Sequence, residues 1–287
     1  MTRAVRGFTL METVLVIVVL GIVGVSLGMF ILPAVNSQQA MENRAALVDS
    51  AETALRRMAR DIRVALPNSL RVTNAGGFTL EMIPTVDGGR YCNGDADCNN
   101  SLTIGAADTV FDILGCFRNG TFTAAPGSPY RLVIGDSSGS AYAGAAVITP
   151  TSTSIALSIW PGTGATPAVC GSASATANSY NRHRVTLSAA QTFPSASPRR
   201  RVFVVSTAVA YVCSTAGQTL TRYSGYAIGA LPTTGTAALV TDKVTACSVT
   251  STTGQVQATG LVTLRVTLAT ASESVTLMHQ AQLDNSQ

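Results

Sequence analysis

A chain of 287 residues is long enough to bury a sizeable core in one or two globular units. Only 12% of its residues are charged, and Thr, Ser, Ala, Val and Gly dominate beyond the N-terminal region, which excludes a disordered polar tail and suits an exported β-rich domain. The net charge of +4 is too small for a nucleic-acid-binding surface, and the aromatic residues, 6% of the chain, are not interleaved with basic ones.

The chain opens on a short basic leader, residues 1–7, that carries Arg3 and Arg6 and ends in Gly7. An apolar run follows, interrupted only by Glu12. Its charge-free part, residues 13–35, is long enough to cross a bilayer as a helix. A secretory signal would place its cleavage site after a shorter apolar core. Here the candidate cleavage point, Gly7–Phe8, precedes the apolar segment, so the helix is expected to stay in the mature chain. Basic residues before the span and a polar domain after it predict that the C-terminal bulk lies outside the cytoplasm. Gly21, Gly24 and Gly28 fall near one face, where small residues let membrane helices approach closely.

From residue 36 the chain turns polar but keeps a helical period. Met41, Leu47, Val48, Ala51, Leu55, Met58, Ile62 and Leu66 recur at spacings of three and four, with Glu42, Arg44, Glu52, Arg56, Arg60 and Arg63 mostly on the other side. The helix should stop near Leu66, because Pro67 disfavours helical backbone at the residue before it. Segments 8–35 and 36–66 can then form one long helix, bent or loosened around Gly28 and Pro33.

After Pro67 the period changes to two. Strands are predicted over 78–83, 109–114, 130–134, 154–160, 184–187, 202–212, 219–226, 244–249, 261–268 and 274–283. In 261–268, Val262, Leu264, Val266 and Leu268 alternate with Thr263, Arg265 and Thr267. Loops rich in Gly, Ser, Thr and Ala separate the strands, notably 136–144, 161–179 and 233–237. One long helix followed by strands without alternating helices predicts an α+β chain, with an antiparallel β-rich head over 67–287 rather than a βαβ fold.

Gly7, Phe8, Thr9, Leu10, Glu12 and the apolar helix after them closely resemble the type III prepilin signal of type IV pilins and type II secretion pseudopilins. The likeness continues in Arg57-Met58-Ala59-Arg60-Asp61-Ile62-Arg63 at the helix-to-head junction and in Arg200-Arg201-Val202-Phe203-Val204-Val205. It is also carried by the Tyr223-Ser224-Gly225-Tyr226 turn and by Ser272-Glu273-Ser274-Val275-Thr276-Leu277, His279-Gln280 and Asp284-Asn285. Together these are similar to minor pilins of MSHA-type pili and, more distantly, to pseudopilins.

That resemblance implies a type IV pilin-like fold and a role in initiating or modulating pilus assembly, with a type II secretion pseudopilin as the neighbouring alternative. It implies cleavage between Gly7 and Phe8 by a prepilin peptidase and N-methylation of Phe8. Glu12 would then pair with the free α-amine of Phe8 on a neighbouring subunit, which offsets the desolvation of an isolated acid in lipid. The implied partners are that peptidase, a major pilin, other minor pilins and an inner-membrane assembly platform. The implied location is the bacterial inner membrane with a periplasmic head, then a pilus or pseudopilus. Neither enzymatic activity nor a resident cofactor is expected. Taken without the resemblance, Glu12 reads equally well as an acid tolerated near the membrane interface.

Six cysteines suit disulfides in an oxidising compartment, and the absence of a CxxC pair, with both histidines remote in sequence, disfavours zinc. Proximity favours Cys92–Cys98. Cys213 and Cys247 each stand at a strand end and would tie neighbouring strands, leaving Cys116 with Cys170. In the segment Tyr91–Asn100 around the first of these pairs, Asn93, Asp95, Asp97 and Asn99 alternate. Oxygen ligands two residues apart suit Ca²⁺, although the later bidentate Glu is missing and Asx turns are ordinary chemistry in tight loops. Gly135-Asp136-Ser137-Ser138-Gly139 resembles a hydrolase nucleophile block, yet neither His183 nor His279 stands where such a serine needs its base. A membrane-anchored exported hydrolase using Ser137 is therefore the rival from another class. An adhesive head, touching a surface through Arg199–Arg201 or the Asx-rich loop, is a third reading.

Overall fold

One helix, α1 (Leu10–Arg63), takes up 54 residues and is about 80 Å long. The computed structural model describes residues 9–74, 76–94, 98–118, 124–136, 139–144, 146–160, 170–171, 181–252 and 260–283. Helix α1 is continuous through Gly28 and through Pro33, which forgoes only the N–H that proline lacks. It ends at Arg63, short of the expected Leu66. Val64 leaves helical geometry, Ala65 forms a bridge with Pro84, and the Leu66 N–H donates to the Ile83 carbonyl at 2.7 Å. The chain is thus drawn into β pairing before the restriction from Pro67 applies.

The strands that follow are β1 (Arg71–Thr73), β2 (Gly77–Met82), β3 (Thr85–Arg90), β4 (Ala107–Asp112), β5 (Arg131–Val133), β6 (Ile155–Trp160) and β7 (Arg182–Thr192). After them come β8 (Arg201–Val205), β9 (Ala208–Ser214), β10 (Thr219–Tyr226), β11 (Thr236–Asp242), β12 (Val244–Thr252), β13 (Gly260–Ala269) and β14 (Ser274–Leu283). They form a five-stranded sheet in the order β1-β2-β9-β10-β11 and three three-stranded sheets, β12-β13-β14, β3-β8-β5 and β4-β7-β6. Each sheet is antiparallel, as expected for an α+β head.

The apolar run predicted as one strand over 202–212 is two strands in different sheets. β8 pairs with β3 and β5, β9 pairs with β2 and β10, and Ser206 and Thr207 carry the chain between them. Three strands carry no clear period-two signal in sequence. β1 is only three residues long. β11 runs into the stretch predicted as a loop at 233–237. β3 contains Gly88 and Gly89; a Cβ at Gly89 would come within 3.0 Å of Ile113 and 3.2 Å of Phe117, so glycine there permits close packing.

Two main cores result. In the first, Leu47, Ala51, Ala54, Leu55, Met58, Ala59 and Ile62 of α1 pack with side chains of β2, β9 and β12–β14. In the second, β3, β5 and β8 face β4, β6 and β7 around Tyr91, Phe111, Phe193 and Val204. A smaller cluster including Leu66, Ile83, Val133, Ile148 and Val205 lies at their junction. Disulfides join Cys92–Cys98, Cys116–Cys170 and Cys213–Cys247, the three pairs favoured by position in sequence. The last links β9 of the five-stranded sheet to β12 of the neighbouring sheet.

Candidate functional site

The first half of α1 is the most unusual surface of the molecule. Leu10, Val14, Ile17, Leu20, Ile22, Val25 and Phe30 are exposed around the helix, and its most apolar window has a mean hydropathy of 2.9 with no residue buried. A soluble amphipathic helix keeps its apolar residues on one face; this one is apolar all round. It is the one helix, among the described residues, long and apolar enough to cross a membrane. A Cβ at Gly21, Gly24 or Gly28 would meet nothing within 4 Å, so all three positions are open to another helix.

Polar side chains in this segment are mostly satisfied within it. The Thr13 hydroxyl donates to the Leu10 carbonyl and the Ser26 hydroxyl to the Ile22 carbonyl, each on the same helix. Thr9 is the N-cap, its hydroxyl accepting from the Glu12 N–H at 3.3 Å. Glu12 therefore stands three residues after a capping threonine, where a carboxylate also complements the positive end of the helix dipole. That local stabilisation is a second role for Glu12, one the sequence reading does not assign. The exposed carboxylate has no ion-pair partner among the described residues. Gly7 and Phe8 lie outside the described residues.

The second half of α1 is gripped by the head. Its stripe is buried from Leu47 to Ile62, while Glu42, Arg44, Glu52, Arg56, Arg60 and Arg63 are exposed. Met41, read as part of the apolar stripe, is 72% exposed because it precedes the first residue covered by the head. A polar clamp reinforces the apolar contact. The Asp61 carboxylate accepts from the Tyr211 hydroxyl and from Arg222 Nε, both at 2.8 Å. Burial and the nearby Asp61 charge hold the Tyr211 phenol above its ordinary range, so it remains a donor. Ser50 adds a hydroxyl–hydroxyl hydrogen bond of 2.8 Å to Thr241 of β11. These partners lie far apart in sequence, and no local pattern marks them.

The other candidate residues divide. Asn93 lies within the Cys92–Cys98 loop and Asn99 just after it, whereas Asp95 and Asp97 lie outside the described residues. Among the described residues no group of three or more His, Cys, Asp or Glu side chains could hold a metal. Ser137 also lies outside them. Its neighbour Asp136 is buried and accepts from the Ser140 N–H, the Ser140 hydroxyl and the Ala141 N–H, so it caps the short 3₁₀ turn Ser140–Ala143. His183 is buried in β7, where its Nδ1 accepts from the Phe117 N–H at 3.0 Å and its ring stacks on Phe117. Burial pulls its pKa down, against the smaller raising effect of Asp87. His279 is half-buried on the face of β14 that carries Val275 and Ala281. Arg199 and Arg200 form the turn into β8, their carbonyls accepting from Arg90 Nε and the Tyr91 N–H. No protein-family model, curated protein or solved structure matches this chain.

Proposed function

We propose that this chain is a minor subunit of a type IV pilus-like filament, held in a bacterial inner membrane by the first half of α1 and taken into the filament through that helix. The observation that carries the reading is the unshared helix half, apolar all round, whose carboxylate at Glu12 has no ionic partner among the described residues. An acid at that depth is costly alone and tolerable when paired. The free α-amine of Phe8 on a neighbouring subunit, exposed by prepilin peptidase after Gly7 and then N-methylated, is the cation this arrangement calls for. Three disulfides suit a head that matures in an oxidising periplasm. Major pilin, other minor pilins and the inner-membrane assembly platform are the corresponding partners. A type II secretion pseudopilin needs the same helix, and the genes flanking this one distinguish the two.

The test is Glu12→Val. The variant should insert and be processed to a chain beginning at Phe8, yet lose disulfide cross-linking between cysteines engineered into adjacent helices. Mature chains starting elsewhere, or undiminished cross-linking and normal filaments in Glu12→Val, would overturn the proposal.

A further inference from the structure

The head has an open cleft of about 550 Å³, within the size range of small-ligand sites. Its walls come from the segment before β5, the turn around Pro150, the β8–β9 crossing and the end of β10. Ser128, Thr151, Ser206 and Thr207 supply hydroxyls, and Pro129, Pro150 and Ile228 supply aliphatic surface. Arg131, the first residue of β5, lines the same cleft.

Arg131 differs from the head's paired arginines. Arg184 has a two-point contact with Asp112, Arg222 meets Asp61, and Arg71 meets Glu81. Arg131 is half-buried, yet its Nε donates only to a backbone carbonyl, that of Thr149, and no carboxylate of the described residues pairs with it. Burial lowers its pKa, and no neighbouring anion offsets this. A partly desolvated guanidinium without a counter-charge costs stability, and its planar fork is suited to a carboxylate. Among the described residues, the Thr151, Ser206 and Thr207 hydroxyls likewise have no hydrogen-bond partner.

We propose that this cleft binds an acidic saccharide, with Arg131 taking the sugar carboxylate, the wall hydroxyls meeting the ring hydroxyls, and the proline and isoleucine surface meeting the apolar ring face. An extended peptide fits less well, because the open side of β5 is already occupied: Ile148 bridges Val133, and the Thr149 N–H donates to the Leu132 carbonyl. Free phosphate fits less well too, since the hydroxyls are spread along the walls and no helix N-terminus adjoins them. The site stands independently of how the helix is used.

Titration of the full chain in detergent micelles with trigalacturonate tests this, with neutral galactotriose and inorganic phosphate as the contrasting probes. Trigalacturonate should bind saturably, and galactotriose and phosphate about tenfold or more weakly. Arg131→Gln should weaken trigalacturonate by a similar factor, and Ala227→Trp, which places bulk on the cleft wall and leaves Arg131 in place, should abolish it. Thermal melts that match the wild type establish that both variants are folded. Saturable binding absent from the wild type, affinity unchanged in either folded variant, or equal binding of galactotriose or phosphate would overturn the proposal.

Discussion

The two halves of α1 both carry apolar residues but meet opposite surroundings. Leu20 is 63% exposed and Leu55 is 2% exposed, on one continuous helix. The second half alternates apolar and charged faces, and the head folds over the apolar one. The first half has no polar face to leave in water, so no one-sided packing within the chain could satisfy it. Hydrophobicity alone thus does not determine burial within a chain; the distribution of apolar residues around the helix decides whether a head can cover it. What is left uncovered is suited to lipid or to another helix.

Identical truncations in the two halves give the largest contrast. Leu55→Ala should destabilise the head by about 2–5 kcal/mol in denaturant melts of the solubilised chain, and Leu20→Ala should change it by less than about 0.5 kcal/mol. Equal effects would mean that the head also depends on the exposed half. Replacing Cys213 and Cys247 by Ser should cost about 3–4 kcal/mol by loop entropy, read in the same melts under non-reducing conditions. Asp61→Ala leaves the Tyr211 hydroxyl and Arg222 without their acceptor. Because that clamp is partly open to water, the expected loss is nearer 2 kcal/mol, whereas Glu12→Ala should leave the head's melting curve unchanged.

The smallest effect concerns the core remote from the helix. The folded-state pKa of His183 lies below its unfolded value, so the unfolded chain binds the extra proton first. Stability is therefore full above about pH 6.5 and declines as pH falls towards the folded-state pKa. Melting temperatures measured between about pH 7.5 and 5 should show this slope, and His183→Gln should flatten it.

Much of this contrast is legible in sequence. The period-three-and-four stripe marks the gripped half, the charge-free run marks the open half, and the alternation in β13 and β14 appears directly as strands. Local pattern fails where tertiary pairing decides. Residues 202–212 look like one strand because alternation does not record a change of partner at Ser206. β3 and β11 are obscured by Gly, Ala and Thr, which reach strand geometry through neighbours rather than propensity. The end of α1 follows from the bridge to Pro84, far from any capping signal. Glu12 stands out in sequence, but its capping context depends on seeing Thr9 at the helix start. Asp61, Tyr211 and Arg222 converge over separations of 150 and 161 residues, which no window along the chain could detect.

The Cys213–Cys247 bond has a mechanical consequence. The packed half of α1 contacts both of the sheets that this bond ties together. A chain anchored by its N-terminal helix and loaded at its head carries the pull as shear along that shared seam. The covalent strap keeps one sheet from hinging away and letting the seam open row by row. Extraction then requires the whole stripe from Leu47 to Ile62 to slip at once, so the head resists tension as one block.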